Sequence, residues 1–378
     1  MKKVLIVSQY FCHEEDGKII FPGGTERYAY GISKELRKIY KIKILTFTNN
    51  KNLQKIKKIN GMDIKYVYVK SNKINHILRD FYSFKEVNKE LAKKYDFVHI
   101  IGCGYHFAAG AALACIANKT KTAYTAELAS YHENKNFFSN FLDSIITNKI
   151  LNKINLIISP SEETKDMLKK ELNEKLIKVL PNFIEKTFYI KNKKIKNSLI
   201  FVGRFEPKQK GIWTLLEAMK LCVKKIPSLK LIMCGDTDNL KVKNEILKRI
   251  KNYGLEKNIK LPGKVNEKEL KHYFSISQVF VIPSNYEALS IAFVEALSAR
   301  LPTISSNIKS FLEVTDYGKY GIHFKKDDAA DLSEKICKIM KNESMIKEYS
   351  ELSNKRYKKY LLKNTIKDLK KEYAKILD

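Results

Sequence analysis

The fold is indicated by the stretch Ser198-Leu-Ile-Phe-Val-Gly-Arg-Phe-Glu-Pro-Lys-Gln-Lys-Gly-Ile-Trp-Thr-Leu-Leu-Glu-Ala218. A short apolar run ends at Gly203, a basic loop follows, and apolar residues then recur at helical spacing. This succession predicts a buried parallel strand that leads through a polar turn into a covering helix. Because the same succession recurs along the sequence, the chain is expected to consist of alternating strands and helices.

These alternating elements fall into two series. The first series contains predicted strands at Lys3–Ser8, Ile42–Phe47, Ile64–Val69, Phe97–Ile101, Thr122–Thr125, Leu156–Ser159 and Lys178–Leu180. The second contains Ser198–Gly203, Lys230–Cys234, Ile259–Leu261, Val279–Ile282, Thr303–Ser305 and Gly321–Phe324. The polar segment Ile190–Asn197 between them is predicted to be a linker. Two such series predict an α/β chain with two doubly wound, Rossmann-like domains, whose ligands bind in a cleft at the carboxyl ends of the strands.

Composition limits the classes of protein that this chain can represent. Its 378 residues, 44% of them hydrophobic, are enough for two cores. No stretch approaches the roughly 20 apolar residues of a membrane helix, and the apolar run after Met1 is too short for a signal peptide. The six cysteines form no CxxC pair, so neither a disulfide framework nor a zinc site is expected. A cytoplasmic location follows as the expectation.

The net charge of +30 has more than one interpretation. Only seven of the 71 basic residues are Arg, and Lys is spread over nearly every predicted helix, which favours a biased composition over a dedicated binding face. Attraction to a membrane or to a polyanionic acceptor remains open. No nucleic-acid partner is expected, because the sequence lacks a basic motif with interleaved aromatic residues.

Arg204 and Lys210 stand in the loop after the strand that ends at Gly203. A guanidinium and an ammonium at the carboxyl end of a strand can hold a diphosphate and offset the charge that develops as it leaves. For this stretch alone, a surface turn with solvated basic residues is the alternative.

A second strand, polar loop and helix follow at Pro283-Ser-Asn-Tyr-Glu-Ala-Leu-Ser-Ile-Ala-Phe-Val-Glu-Ala-Leu-Ser298. Glu287 and Glu295 are eight residues apart, and eight helical rises span about 12 Å. With Glu287 in the loop and Glu295 on the helix, one carboxylate can reach a sugar and the other a ribose, while N–H groups at the helix start can bind phosphate. In the alternative, Glu287 caps the helix and Glu295 is solvated.

Together the two stretches resemble the large family of retaining glycosyltransferases that share the two-domain GT-B fold, often called family 4. The Gly-Arg element of the family matches Gly203 and Arg204, its Lys-Gly element begins at Lys210, and its Glu-x7-Glu element matches Glu287 and Glu295. The resemblance runs through most of the chain.

The resemblance implies a site and a reaction. Arg204 and Lys210 would hold the donor diphosphate, Glu287 would contact the transferred sugar, and Glu295 would bind the ribose hydroxyls. The reaction would move a sugar from a UDP- or GDP-linked donor to a glycan or lipid-linked acceptor, with no metal or other cofactor. A glycosyl phosphate synthase or a disaccharide synthase of the same fold is an alternative within the enzyme class. A non-catalytic nucleotide-sugar-binding assembly protein is the alternative from another class.

Further motifs follow the order of the family. Gly23 and Gly24 open a loop similar to its N-terminal glycine-rich loop, where the backbone approaches phosphate or sugar; a turn capped by Thr25 is the alternative. The segments 232–236 and 261–265, the latter ending at Val265, resemble those that line the nucleotide base. The usual Gly-Phe-Gly after the first Glu is Ala288-Leu289-Ser290, whose backbone N–H groups remain available to the donor.

Several positions depart from the family pattern. Glu127 stands where many relatives carry a His near the reacting sugar, so it is a candidate catalytic residue; a buried or helix-capping carboxylate is the alternative. His99 resembles the first His of a common motif, but Ile101 replaces the second, which favours a structural histidine. Asn182 begins an Asn-Phe-Ile-Glu sequence where Asn-Gly-x-Asp is usual.

By the same resemblance, residues 1–190 form an acceptor-binding domain and 191–356 a donor-binding domain. Residues 357–378 are predicted to form a helix that packs back on the first domain, with one apolar side. Another apolar series predicts either a helix on a membrane surface or one packed on the N-terminal sheet. Its members are Phe137, Phe138, Phe141, Leu142, Ile145 and Ile146.

Overall fold

The computed structural model describes residues 1–15, 18–21, 23–53, 56–69, 76–102, 105–127 and 149–377. The chain divides into two compact units, an N-terminal unit of Met1–Phe183 with Leu362–Asp378 and a C-terminal unit of Ile184–Leu361. The predicted boundaries, after residues 190 and 356, therefore lie a few residues away from the observed ones.

The described residues of the N-terminal unit form a mixed sheet of eight strands. The strands of this sheet are β1 (Lys3–Ser8), β4 (Lys41–Thr48), β5 (Ile56–Ile59), β6 (Met62–Tyr68), β7 (Phe97–Gly102), β8 (Thr122–Ala126), β9 (Leu156–Ser159) and β10 (Ile177–Val179). A separate small hairpin consists of β2 (His13–Glu15) and β3 (Lys18–Ile20). The strand order is β10-β9-β8-β7-β1-β4-β6-β5. All neighbours are parallel except β5 and β6.

Helices cover both faces of this sheet. The central strand β1 has apolar side chains on both faces, and each set is buried in a separate core. Val4 and Ile6 belong to one core, and Leu5 and Val7 to another. Described helices of the unit are α1 (Gly24–Leu36), α2 (His76–Leu91), α3 (Tyr105–Ala117) and α4 (Glu162–Leu168), and Lys51–Leu53 and Glu174–Leu176 are short 3-10 helices. Burial on both faces is characteristic of the doubly wound arrangement.

The C-terminal unit contains a fully parallel sheet of six strands. Its strands are β11 (Ser198–Val202), β12 (Lys230–Cys234), β13 (Ile259–Gly263), β14 (Val279–Ile282), β15 (Thr303–Ser306) and β16 (Ile322–Phe324). Described helices are α5 (Pro207–Lys210), α6 (Ile212–Lys225), α7 (Leu240–Asn252), α8 (Glu267–Ile276), α9 (Ile291–Ser298), α10 (Lys309–Val314), α11 (Ala329–Met340) and α12 (Glu343–Arg356). The order β13-β12-β11-β14-β15-β16 is that of a nucleotide-binding Rossmann sheet, with its reversal between β11 and β14.

The predicted linker Ile190–Asn197 is instead part of the C-terminal unit. The amide of Ile195 donates to the carbonyl of Ile276 at 2.8 Å, and the side chain of Asn192 donates to Ser275 Oγ at 3.1 Å. The ammonium of Lys194 donates to the carbonyl of Phe274 at 3.1 Å. The last carbonyls of a helix lack partners within it, and those of α8 give this polar segment a surface to bind.

The C-terminal helix begins later than predicted. Residues Tyr357–Tyr360 form a 3-10 helix in the C-terminal unit, Leu361 is extended, and α13 runs from Leu362 to Leu377 in the N-terminal unit. Tyr373 of α13 is fully buried, with its ring centroid 4.5 Å from that of Phe97. The segment before residue 362 is therefore helical only through Tyr360, and the prediction that it packs on the N-terminal domain was wrong.

The apolar series from Phe137 to Ile146 lies outside the described residues, so the choice between its two interpretations stays a prediction. Of the helices that the structure describes, none has the length and apolar character required to span a bilayer.

Candidate active site

The two sequence motifs meet at the reversal of strand order in the C-terminal sheet. Gly203 and Arg204 follow β11, and the segment 283–287 follows β14, the strand that pairs with β11 in parallel. In open parallel sheets, ligands bind outside the carboxyl ends of the strands at this switch point. The fold therefore places both motifs at the position where such a sheet binds its ligand.

Lys210 and Glu287 form an ion pair at this point. The ammonium of Lys210 donates to Oε1 of Glu287, and the two side chains are only 12% and 9% exposed. Ser284 Oγ donates to the same Oε1 at 3.0 Å. A Cβ added to Gly203 would lie 3.7 Å from Cδ and Cε of Lys210, so the lysine stem passes directly over this glycine. Gly203, Lys210 and Glu287 thus form one cluster.

Gly211 lets the loop of Lys210 approach the loop of Glu287. It has a φ of 60°, and a Cβ there would lie 2.0 Å from the carbonyl oxygen of Pro283. Asn285 donates from its backbone N to the carbonyl of Gln209 at 2.7 Å and from Nδ2 to the carbonyl of Lys208 at 2.9 Å. The two loops therefore pack backbone against backbone.

Arg204 lies beside this cluster in the sequence, but its side chain is exposed. Its backbone turns sharply, with the amide of Glu206 donating to its carbonyl at 2.9 Å. Within the part of the chain that the structure describes, its guanidinium forms no ion pair. The charge is therefore accessible to an anionic ligand from solvent.

Glu295 is on α9, and Glu287 is in the preceding loop, as one of the two sequence interpretations predicted. Glu295 is only 4% exposed, so it is not a solvated surface residue. The residue that caps α9 is Ser290, without a side-chain hydrogen bond, and not Glu287. Leu289 and Ser290 are buried immediately before the helix. The start of α9 thus lacks a side-chain cap, which is the condition for anion binding by its N–H groups.

A small cavity of about 60 Å³ opens near the carboxyl ends of β11, β12 and β13. It is lined by Phe205, Gly235, Asp236, Lys243, Ile246, Leu247, Leu261 and Gly263. Both segments predicted to line a nucleotide base contribute to this lining. Val265 does not line this cavity. It lies just before α8 and is partly buried against a hydrophobic core of the C-terminal unit.

In the N-terminal unit, Gly23 and Gly24 stand at the start of α1. Gly23 is the N-cap residue of α1, so Thr25 lies in the first turn of the helix and is not its N-cap. A Cβ on Gly23 would lie 2.9 Å from Oε2 of Glu26. The glycine therefore makes room for a buried carboxylate in the first turn, where the helix dipole favours negative charge.

Glu127 directly follows β8 in the same unit. Asn182 Nδ2 donates to its Oε2 at 3.1 Å. Burial raises the pKa of Glu127 to about 7; the bond from Asn182 opposes this rise, and the charge of Glu26 adds to it. A carboxyl group with this pKa can exchange protons near neutral pH. Asn182 was noted only as a family departure, and nothing in its sequence spacing predicted this bond.

His99 has a structural role, as its isolated position in the sequence predicted. Its Nε2 is 2.7 Å from Thr125 Oγ1, and its Nδ1 is 2.6 Å from the hydroxyl of Tyr373 on α13. Burial lowers the pKa of His99 to about 3, so the ring is neutral. Both ring nitrogens are occupied, and the histidine fastens the C-terminal helix to the N-terminal sheet.

The two Rossmann-like sheets are those of the GT-B class, as predicted. The structure superposes on Anabaena HepE in complex with UDP with a TM-score of 0.80, at 15% identity over 99% of this chain and 100% of that one. Family models match in tandem: Glycosyltransferase Family 4 over residues 22–188 and Glycosyl transferases group 1 over residues 182–359. The chain therefore belongs to the group 1 glycosyltransferases.

Sequence relatives agree with this family. An uncharacterized glycosyltransferase of Methanocaldococcus jannaschii is 31% identical over 52% of this chain and 57% of its own length. Alpha-monoglucosyldiacylglycerol synthase of Acholeplasma laidlawii is 28% identical over 72% of this chain and 74% of its own length. The chain thus spans little more than half of the first relative and about three quarters of the second.

Proposed function

We propose that this protein is a retaining glycosyltransferase that moves a hexose from a UDP- or GDP-linked sugar to a hydroxyl acceptor during glycan, polysaccharide or glycolipid assembly. The observation that carries the proposal is the cluster of Gly203, Lys210 and Glu287 at the sheet's switch point. It combines a cation for a diphosphate with a carboxylate for sugar hydroxyls. The family supports the same assignment.

Residues of this cluster and its neighbours bind different parts of the donor. Arg204 and Lys210 bind the diphosphate, and the backbone at Leu289 and Ser290 adds N–H donors at the start of α9. Glu287 accepts from a hydroxyl of the transferred sugar, and Glu295 binds the ribose. Fixed cations and a helix N-terminus supply the positive charge that a metal supplies in other transferases, so the proposed reaction is metal-independent.

The proposed reaction retains the configuration at the anomeric carbon. The bond between this carbon and the diphosphate oxygen breaks, and the acceptor hydroxyl bonds to the same carbon from the face that the diphosphate leaves. The hydroxyl proton passes to the departing diphosphate. Arg204 and Lys210 stabilise the negative charge that this group gains. Glu127, in the N-terminal unit, is a further candidate catalytic residue, because its carboxyl group titrates near neutral pH.

A lipid-linked acceptor at the cytoplasmic face of a membrane is part of the proposal. The net charge of +30 would be attracted to anionic lipid headgroups. The name of the Acholeplasma relative describes a diacylglycerol glycolipid synthase, which supports an acceptor of this class. Cosedimentation with anionic vesicles at rising salt tests the attraction, and a Phe138→Asp variant tests the predicted interfacial helix.

The function is tested by incubating purified protein with UDP-glucose, UDP-N-acetylglucosamine, UDP-galactose and GDP-mannose. At least one donor should raise the melting temperature, because a ligand that binds only the folded state stabilises it. The same donor should be hydrolysed or transferred in the presence of EDTA, and NMR of the product should show a retained anomer. Binding without turnover would instead favour a nucleotide-sugar-binding assembly protein.

A further inference from the structure

Two residues between β14 and Glu287 have no role in the proposal above. Ser284 is fully buried, and its carbonyl oxygen accepts a hydrogen bond from Ser306 Oγ on β15. Its hydroxyl donates to Oε1 of Glu287 at 3.0 Å. Asn285 faces the other way and donates to two successive carbonyls of α5. Ser284 thus links β15 to Glu287, and Asn285 contacts the turn that leads to Lys210.

The bonds to Glu287 are asymmetric. Lys210 Nζ and Ser284 Oγ both bind Oε1. Among the residues described by the structure, none donates a hydrogen bond to Oε2. Since both protein donors occupy one oxygen, the rotation of the carboxylate is fixed and the second oxygen is left for a donor from outside the protein.

Asn285 fixes the other member of the ion pair. Its bonds to the carbonyls of Lys208 and Gln209 are at 2.9 and 2.7 Å, and they hold the last turn of α5, which ends at Lys210. A helix of four residues has almost no hydrogen bonds of its own, so external donors determine its position. Without the Asn285 side chain, the turn that leads to Lys210 loses the bond to the carbonyl of Lys208 and keeps only the bond from the backbone N of residue 285 to Gln209.

We propose that Ser284 and Asn285 are positioning residues of this enzyme. Ser284 orients Glu287 so that Oε1 meets Lys210 and Oε2 accepts from a hydroxyl of the transferred sugar. Asn285 holds the turn from which Lys210 reaches the donor diphosphate. The inference rests on the proposed function, and it assigns the two residues to different parts of the donor.

The first experiment is a double-mutant cycle on turnover, using whichever of the four nucleotide sugars wild type accepts. Ser284→Ala should lower kcat about tenfold, the size expected for one hydrogen bond to a charged group. In a Glu287→Ala background the same change should lower kcat less than twofold, because the oxygen that accepts from Ser284 is gone. Ser353→Ala is the matched control: Ser353 is also fully buried and donates one bond, to the carbonyl of Leu301.

The second experiment separates sugar from diphosphate. Calorimetry with UDP and GDP, which lack the sugar, should give a Kd for Ser284→Ala within twofold of wild type. Asn285→Ala should raise that Kd about fivefold, because the ammonium of Lys210 shifts away from the phosphates. These two variants should therefore differ in a way that general loss of packing cannot produce.

Three results would overturn the inference. The first is multiplicative loss of kcat in the Ser284 and Glu287 double variant. The second is a loss of kcat in Ser353→Ala equal to that in Ser284→Ala. The third is an unchanged nucleotide Kd in Asn285→Ala. If wild type itself neither binds nor turns over a donor, the proposed function fails and the positioning roles fail with it, a result distinct from the other three.

Discussion

Lys210 and Glu287, 77 residues apart in the sequence, form a buried ion pair where the loops after β11 and β14 meet. The two side chains are only 12% and 9% exposed, so each charge depends largely on the other. The pair therefore has a structural consequence that can be measured without any substrate.

Removing one partner of this pair should destabilise the protein more than removing both. Lys210→Met leaves the Glu287 carboxylate buried without its counter-charge, which typically costs about 3 to 5 kcal/mol. The double variant Lys210→Met with Glu287→Gln should recover most of this loss. Urea unfolding of the three proteins measures the effect. A double variant as unstable as the single one would show that the two charges do not interact.

The strands were predictable because their apolar runs are buried on both faces. Every predicted strand corresponds to an observed strand, with ends that differ by at most two residues. The hairpin β2–β3 and the edge strand β5 were not predicted. β5 (Ile56–Ile59) carries two lysines in four residues, and the hairpin's first strand is His-Glu-Glu. Edge strands bury little, so they lack the apolar pattern that identifies a central strand.

The candidate site was only partly predictable. The motifs gave Lys210 and Glu287 separately, but their bond depends on which strands are neighbours, and sequence spacing does not contain that information. The contacts of Asn182 with Glu127 and of Asn285 with α5 depend on tertiary structure in the same way. The end of the second unit was also misplaced, because amphipathic spacing continues through the break at Leu361.

Gly211 should be far less tolerant of alanine than Gly254. Both have left-handed backbone, with φ of 60° and 65°, so both substitutions incur the same strain of roughly 1 to 2 kcal/mol. A Cβ on Gly254 meets nothing within 4 Å, whereas one on Gly211 would meet the carbonyl of Pro283 at 2.0 Å. Gly211→Ala should therefore lower the unfolding free energy further and also lower turnover. Equal losses in the two variants would contradict the loop contact.

Glu127→Gln should change how stability depends on pH. Because the pKa of Glu127 is raised from 4.5 to about 7 in the folded protein, the folded state binds its proton more tightly than the unfolded state. The contribution of Glu127 to the free energy of unfolding is therefore fully present below pH 4.5 and is lost as the pH rises through 7. The melting temperature of the variant relative to wild type should rise between pH 5 and 8. A difference that is constant or falls over this range would contradict the raised pKa.

Tyr373→Phe should loosen the attachment of α13. The change removes the hydroxyl that bonds Nδ1 of His99 and leaves a buried ring nitrogen without its partner, at a cost of about 1 to 3 kcal/mol. Tyr82→Phe, at a tyrosine that is 40% exposed in the same unit, is the control and should cost little. Denaturant midpoints compare the two. Similar midpoints would mean that the hydroxyl contributes nothing to holding the helix.

The central claim is the division of labour among Arg204, Lys210 and Glu295, and steady-state kinetics with the preferred donor test it most directly. A departing diphosphate gains charge whereas a ribose does not, so Arg204→Ala and Lys210→Ala should each lower kcat by about 10² to 10³. Arg204→Lys should recover only part of this loss, because an ammonium cannot form the bidentate hydrogen bonds that a guanidinium forms with a phosphate. Glu295→Ala should mainly raise the donor KM. If folded Arg204→Ala and Lys210→Ala both keep near-wild-type kcat, the diphosphate is not held by these residues and the proposed site is wrong.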